Sequence, residues 1–107
     1  MINIETKKEL IDLIENNKMS IIYFTGNACG ACEAIKVKIE GILNEFDQIA
    51  CREVNGEKHI DLAAEYGVFS LPIMLLFIEG REFLRVGRNV NLLELKSNIG
   101  RYYNMVF

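Results

Sequence analysis

Two short apolar runs constrain the fold of this chain more than any other feature. Residues 20–24 (SIIYF) and 72–78 (PIMLLFI) are nearly continuous stretches of apolar residues that favour strands. Runs of this kind, without polar alternation, are typical of strands buried on both faces of a sheet. They predict a layered α/β fold in which helices cover both faces of the sheet.

The segments around these runs predict the remaining elements. Apolar residues spaced by three and four positions indicate helices. A capping box at Thr6 and Glu9 marks the start of the first helix, and Gly67 can end the third. The predicted helices cover residues 5–17, 30–46, a short stretch from 60 to Gly67, and a segment that starts at Asn91. Further strands are predicted over residues 1–4 (a short edge strand), 49–54 and 82–86.

The resulting order, β-α-β-α-β-α-β-β-α, decides the predicted topology. Alternation in the first part calls for parallel pairing with right-handed crossovers. The tight turn at Glu79-Gly80 makes the last two strands antiparallel. We therefore predict a single domain over residues 1–107, with a central mixed sheet of four to five strands flanked by helices on both faces.

Composition and charge exclude several classes of function. The net charge is −3 and no basic run is present, which argues against nucleic acid as a partner. No apolar run approaches the roughly 20 residues that span a bilayer, so no membrane association is expected. The N-terminal segment lacks a signal pattern, so we expect a cytoplasmic protein whose thiols stay mostly reduced.

Cys29 and Cys32 form a CxxC pair at the predicted junction between a buried strand and an amphipathic helix. The first turn of a helix has unpaired N–H groups and the positive end of the helix dipole, and both stabilise a thiolate. Cys32 is expected one turn deeper. The small residues Gly30 and Ala31 allow another chain to approach closely. This arrangement favours Cys29 as the nucleophile that attacks a disulfide and Cys32 as the thiol that resolves the mixed disulfide.

Other interpretations of the pair remain open at this stage. The two cysteines could be half of a zinc site completed by Cys51 and His59, although zinc sites usually supply a second closely spaced pair. They could also form a purely structural disulfide, or be two buried thiols without chemistry.

The motifs as a group resemble the thioredoxin family over nearly the whole chain. The resemblance lies in IIYF at 21–24 followed by CGAC at 29–32, YGVFSLP at 66–72 followed by IMLLF at 73–77, and EGRE at 79–82 with VG at 86–87. CxxC alone is a weak signal, but CxxC with a proline-initiated apolar strand about forty residues later is a strong one.

The resemblance implies a thioredoxin fold and a dithiol–disulfide oxidoreductase that reduces protein disulfides. It implies a cis bond before Pro72, packing of Pro72 beside the cysteines, and pairing of the Leu71 backbone with the substrate peptide. Gly87 would line the same surface. No bound cofactor or metal is expected, and a flavoenzyme of the thioredoxin-reductase type would supply electrons to a monomer. The alternatives are a thioredoxin-fold binding or chaperone module with incidental thiols, and a thiol oxidase or isomerase of the same fold.

Several positions depart from the family pattern. Ala28 replaces the usual tryptophan and Ala31 the usual proline of the motif, which leaves substrate preference and redox potential undetermined. Tyr23 stands where the family has a buried aspartate, and Glu53 stands where it has a partner lysine. We therefore predict that Glu53 supplies the buried carboxylate that takes the proton of Cys32. The alternative is a solvated glutamate at the end of a strand.

The remaining chemically distinctive residues are assigned structural roles. Cys51, on the same strand face as Glu53, is expected to be a buried apolar position rather than a regulatory thiol. His59 is expected to precede or cap the third helix. The aromatic side chains near the C-terminus, Tyr102, Tyr103 and Phe107, are expected to pack, and the three arginines around the last strand, Arg81, Arg85 and Arg88, to be solvated rather than to dock a partner.

Overall fold

The computed structural model describes all 107 residues as a five-stranded sheet between two layers of helices. The strands are β1 (Ile2–Asn3), β2 (Met19–Thr25), β3 (Ala50–Asn55), β4 (Ile73–Ile78) and β5 (Arg81–Val86). The helices are α1 (Lys7–Asn16), α2 (Gly30–Leu43), α3 (Ile60–Glu65) and α4 (Leu92–Val106). The element order and the mixed sheet match the prediction, with five strands.

The strand order is β1-β3-β2-β4-β5. The pairing of the strands places four of the loops between strands and helices together, at one end of the strands. β1, β3 and β2 are parallel, whereas β4 is antiparallel to both β2 and β5. Thr25 pairs with Asn55, and Phe24 pairs with Ile73. The ends of β2 and β3 therefore meet the start of β4 and the end of β5. We call this the site edge of the sheet.

Both faces of the sheet are covered, because β2 is buried along its whole length. One face packs against α1 and α3 through an apolar cluster that includes Leu10, Phe24 and Leu75. The other packs against α2 and α4 through a cluster that includes Ile39, Leu76 and Ile99. The two layers hold the central strands rigidly, so loops at the site edge have a fixed base.

Two details differ from the prediction. The second helix was predicted to reach Phe46 but ends at Leu43, because Phe46 N–H donates to the Leu43 carbonyl in a turn and the Phe46 ring packs on Tyr103. The antiparallel direction of β4 relative to β2 was not predicted either. It arises because the connection after α3 returns to the site edge before β4 starts. Gly67 does end α3, with a positive φ of 68°.

None of the four helices combines the length and apolar character that crossing a bilayer requires.

Candidate active site

The site is built around the first turn of α2. Cys29 is the N-cap residue of this helix and forms a disulfide with Cys32, three residues further on. The backbone N–H of Cys32 donates to Cys29 Sγ at 3.2 Å. Cys32 is completely buried, whereas Cys29 is partly exposed. One sulfur is thus accessible to another protein, and a backbone donor of the first turn points at it.

The loop that carries Cys29 is held by side chains from the neighbouring connection. Asn55, at the end of β3, donates through Nδ2 to Asn27 Oδ1 at 2.9 Å. A Cβ at Gly26 would lie 2.6 Å from Glu57 Oε1 and 3.0 Å from Leu71 Cδ1, so the side chains of both neighbouring segments approach the backbone closely here. Ala28 adopts a positive φ of 46°, which is unfavourable for any residue with a side chain. The loop is therefore shaped by tertiary contacts rather than by the preferences of its own residues.

Tyr23, on β2, contacts the backbone of the first turn of α2. Its hydroxyl donates to the backbone carbonyl of Cys32 at 2.7 Å, and its side chain is 1% exposed. Burial, together with the negative charges of Glu33 and Glu53, raises the pKa of Tyr23 to about 12. The phenol therefore stays neutral at ordinary pH and acts as a fixed hydrogen-bond donor. This hydrogen bond anchors the first turn of α2 to β2 of the sheet.

Glu53 is the one charged residue that the fold buries, at 7% exposure. It pairs with Tyr23 in the register of β2 and β3, and its Oε2 lies 3.4 Å from Nζ of Lys36 on α2. Burial disfavours the charged form of Lys36, but the carboxylates of Glu53 and Glu33 outweigh this and raise its pKa. The alternative of a solvated strand-end glutamate is therefore wrong: Glu53 lies inside, under the helix that carries Cys32.

Leu71 and Pro72 form the opposite side of the site edge. The bond between them is cis, as the resemblance implies, and Pro72 is buried. A Cβ at Gly87 would lie 3.7 Å from the Pro72 carbonyl oxygen, so Gly87 packs against this segment. Leu71 lies against Gly56, where a Cβ would come within 3.0 Å of its side chain. Its carbonyl accepts a hydrogen bond from Arg88 Nη2 at 3.0 Å.

An apolar groove of about 260 Å³ continues from Leu71 along α3. It is lined by Gly56, Ile60, Ala63, Ala64, Val68, Phe69 and Leu71. Phe69 is 85% exposed and Ile60 is 67% exposed. Two large apolar side chains that are exposed to solvent thus line one groove, next to the segment that precedes Pro72.

The structure separates the residues that a zinc site would require. Cys51 lies on β3, packed against the cluster under α2 and α4, and burial raises its pKa to about 12. His59 precedes α3 without a side-chain cap, and its Nε2 lies 3.1 Å from Glu5 Oε2. No group of three His, Cys, Asp or Glu side chains is placed to hold a metal ion. Cys51 is mostly buried, as expected for a packing position.

The remaining aromatic residues and arginines have distinct environments. Tyr103 packs between Phe46 and Phe107, with ring centroids at 5.1 and 4.8 Å. Arg85 is on the surface, but contacts within the chain fix its guanidinium: it pairs with Glu82 and donates to the carbonyls of Tyr66 and Gly67. Arg88 is exposed and lies at the site edge.

Sequence reasoning did not assign a role to Tyr23 or Asn55, and it expected Arg88 to be solvated rather than to contact a partner; the internal contacts of all three came from the structure. Tyr23 carried a usable signal, because a buried tyrosine within an apolar strand needs a partner for its hydroxyl. Asn55 and Arg88 carried none, since their partners are distant in sequence, 28 and 17 residues away. Such contacts follow from the register of the strands.

Comparisons with known proteins agree with this geometry. A family model described as Thioredoxin matches residues 2–101. The chain is 32% identical over 94 residues to the thioredoxin-like protein YdfQ of Bacillus subtilis, covering 88% of this chain and 84% of that protein. It is 33% identical over 79 residues to a thioredoxin of Mycoplasma pneumoniae, covering 74% of this chain and 78% of that one. The structure of a mutant thioredoxin of Halobacterium salinarum superposes with a TM-score of 0.84 at 25% identity, covering 95% of this chain and 89% of that chain.

Proposed function

The chain belongs to the thioredoxin family and is a dithiol–disulfide oxidoreductase of the disulfide reductase type, and on that premise we propose the roles of its individual residues. Cys29 is the attacking thiol and Cys32 the resolving thiol. The observation that carries this assignment is the difference in exposure: Cys29 caps α2 and faces solvent, whereas Cys32 is fully buried behind it. Only the exposed sulfur can reach a protein substrate.

The reaction proceeds through two exchanges of sulfur partners. The Cys29 thiolate attacks one sulfur of the substrate disulfide, and the other sulfur leaves as a thiolate that takes up a proton. Cys32 then loses its proton and attacks Cys29 Sγ, which releases the second substrate thiol and forms the Cys29–Cys32 disulfide. Two electrons pass to the substrate, and the protein is oxidised to the state that the structure describes.

We propose Glu53 as the group that accepts the proton of Cys32. It is the only buried carboxylate, it lies on the sheet face under α2, and its register neighbour Tyr23 holds the Cys32 carbonyl. A buried thiol has no water to take its proton, so a nearby carboxylate would speed its ionisation. Lys36, which pairs with Glu53 at 3.4 Å, would position this carboxylate.

The Glu53→Gln variant tests this proposal. We expect resolution of the mixed disulfide at pH 7 to slow about tenfold, less than the ~100-fold or more of a positioned base in direct contact. Rapid-quench measurement of the mixed disulfide from pH 6 to 9 gives the rate. Raising the pH should restore it, because hydroxide replaces the lost base. Glu33→Gln is the matched control, since Glu33 is the other carboxylate partner of Lys36 but is exposed. A resolution rate that is equal in Glu53→Gln and in the parent protein at every pH contradicts the assignment.

We further propose that the substrate peptide lies across the site edge. Gly30 and Ala31 allow its close approach beside Cys29, and the backbone of Leu71 pairs with it next to Pro72 and Gly87. The geometry of the site edge supports this proposal, because a turn of small residues lies on one side and the Leu71–Pro72 segment on the other. The apolar groove along α3 would receive a substrate side chain.

The family implies protein substrates and reductase partners in general. Beyond this, we propose that a flavoenzyme of the thioredoxin-reductase type supplies the electrons, and that residues 1–107 act in the cytoplasm as one monomeric unit. A family member in a reducing compartment would carry electrons from that flavoenzyme to protein disulfides.

Reduction of insulin by dithiothreitol tests the proposed roles. The protein should accelerate the reaction, and Cys29→Ser should abolish the acceleration because it removes the attacking sulfur. Cys32→Ser should instead trap mixed disulfides with substrate. A protein that does not accelerate insulin reduction would support a binding module of the same fold. A redox potential near −120 mV rather than near −270 mV would support a thiol oxidase.

A further inference from the structure

Arg88 and Arg85, two arginines near β5, differ in their contacts. Arg85 forms an ion pair with Glu82 at 2.9 Å and also donates to the carbonyls of Tyr66 and Gly67. The hydrogen bond to Glu82 raises the pKa of the Arg85 guanidinium. Arg88 has no carboxylate within 4.0 Å, and its one hydrogen bond is to the Leu71 carbonyl at 3.0 Å. Arg85 is thus a structural arginine, whereas the charge of Arg88 has no partner within the chain.

The unpaired charge of Arg88 lies next to the segment that is proposed to bind substrate. Leu71 immediately precedes the cis bond to Pro72, and Arg88 follows Gly87, which packs on Pro72. The guanidinium is therefore fixed at the site edge by the backbone group that, in the proposed function, pairs with substrate. A carbonyl oxygen has two lone pairs, so Leu71 can accept a substrate N–H while Arg88 stays bound. The charge then lies beside the substrate chain.

We propose that Arg88 selects disulfide substrates that carry a carboxylate next to the segment paired with Leu71. This inference rests on the proposed function and names the substrate class: an acidic peptide around the reducible disulfide. A planar guanidinium binds a carboxylate through two parallel hydrogen bonds, and Arg88 keeps four of its five donors free for this. Because the whole chain carries a charge of −3, long-range attraction does not favour acidic peptides. The selection is therefore local and depends on where the acid stands.

The experiment compares peptides that differ in one residue. Each contains one disulfide, with Glu or Gln placed in turn at each position within three residues of the cysteine. The second-order rate of oxidation of the reduced protein is measured by stopped flow, which needs no reductase. At one position, we expect the Glu peptide to react about threefold faster than its Gln counterpart, the size typical of an exposed ion pair. The preference should vanish in about 1 M salt, where charges are screened beyond about 3 Å.

Variants of Arg88 decide whether it causes the preference. Arg88→Gln should bring the ratio of the two rates to one, Arg88→Glu should invert it, and Arg88→Lys should retain part of it. Arg81→Gln is the matched control, because it removes the same charge from an exposed residue at the far end of β5 and should leave the ratio unchanged. Thermal melts verify that each variant is folded. The same ratio in Arg88→Gln as in the parent, or a ratio of one in the parent at every position, overturns the proposal.

Binding measurements separate this proposal from the proposed function. Peptides with serine in place of cysteine cannot react, so their affinity for the oxidised protein tests Arg88 alone. We expect the Glu peptide to bind about threefold more tightly than the Gln peptide, and the difference to disappear in Arg88→Gln. Equal affinities in the parent protein overturn the role of Arg88. A protein that binds the Glu peptide selectively but reduces neither disulfide supports Arg88 and contradicts the reductase function.

Discussion

The site edge of the sheet and the interior of the same sheet place one residue type in opposite environments. At the site edge, Cys29 caps α2 and receives the N–H of Cys32 on its sulfur. Inside, Cys51 lies on β3, where burial raises its pKa from the ordinary 9.0 to about 12. Cys29 follows β2 and Cys51 lies on β3, and these two strands are neighbours in the sheet. Their difference shows that position in the fold, rather than residue type, sets the environment of each sulfur.

The largest expected effect is a difference in alkylation between these two thiols. At pH 8, a thiol with a pKa of 12 is ionised to about one part in 10⁴, whereas the start of a helix favours the thiolate form of Cys29. The higher intrinsic nucleophilicity of the less acidic thiolate recovers about two orders of magnitude. In the reduced protein, we therefore expect iodoacetamide to modify Cys51 at least about 100-fold more slowly than Cys29.

Mass spectrometry of digests taken over time measures both rates in one sample. Denaturant provides the control, because unfolding should bring the rates within about tenfold of each other once burial is lost. Similar rates for Cys29 and Cys51 in the folded protein would remove the contrast between the two environments.

The buried thiol also predicts how stability depends on alkaline pH. The folded-state pKa of Cys51 is raised, so its contribution is fully present below pH 9 and is lost as pH rises towards 12. Tyr23, whose pKa is also raised to about 12, adds a similar loss from about pH 10. We expect Cys51→Ala to reduce the fall in unfolding free energy between pH 8 and 10.5. Urea titrations at the two pH values measure it, and an unchanged fall would contradict the assigned burial.

The same two regions differ in how they tolerate unfavourable local structure. At the site edge, Ala28 has a positive φ of 46° on the residue before Cys29. Within the sheet, Ser20 is completely buried on β2, and its hydroxyl has no hydrogen-bond partner among the protein atoms. The first is a backbone cost in an exposed loop, and the second is a desolvation cost in the core. Each can be relieved by one substitution.

Ala28→Gly should stabilise the protein by about 1 kcal/mol. Removal of the side chain relieves about 1–2 kcal/mol of strain in the left-handed backbone conformation. The greater entropy of glycine in the unfolded chain opposes this gain by about 0.5–1 kcal/mol. Urea unfolding measures the change. Gly67→Ala is the reciprocal control, because Gly67 has a φ of 68° and should lose a comparable amount. If Ala28→Gly destabilises the fold, the strain at this loop has been misjudged.

Ser20→Ala should stabilise the protein by about 0.5 kcal/mol, the smallest of these effects. An unpaired buried hydroxyl costs about 1–3 kcal/mol, and loss of its packing offsets part of the gain. The same urea titration measures the change, with Ser97→Ala on the exposed surface of α4 as a control that should change little. A loss of more than 1 kcal/mol would mean that the hydroxyl has a partner after all.

Much of the fold could be predicted from the sequence, because the signals are local. The apolar runs at 20–24 and 72–78 each became a buried strand, and the capping residues Thr6 and Asn91 start α1 and α4. The antiparallel direction of β4 was missed. No local pattern records how a chain returns to a sheet, since that depends on which edge the connection reaches.

The sequence by itself determined which residues could carry the chemistry: a CxxC pair after a buried strand, a single proline before another, and a carboxylate at position 53. The roles of the pair follow from residue type and spacing along one segment, whereas the proline and the carboxylate were assigned through the resemblance to the thioredoxin family. Only the tertiary structure decided their environments, namely that Glu53 is buried beside Lys36, that Tyr23 holds the Cys32 carbonyl and that Arg88 binds at Leu71. The physical reason is that burial and hydrogen-bond partners are set by strand register and packing, which join residues far apart in the chain.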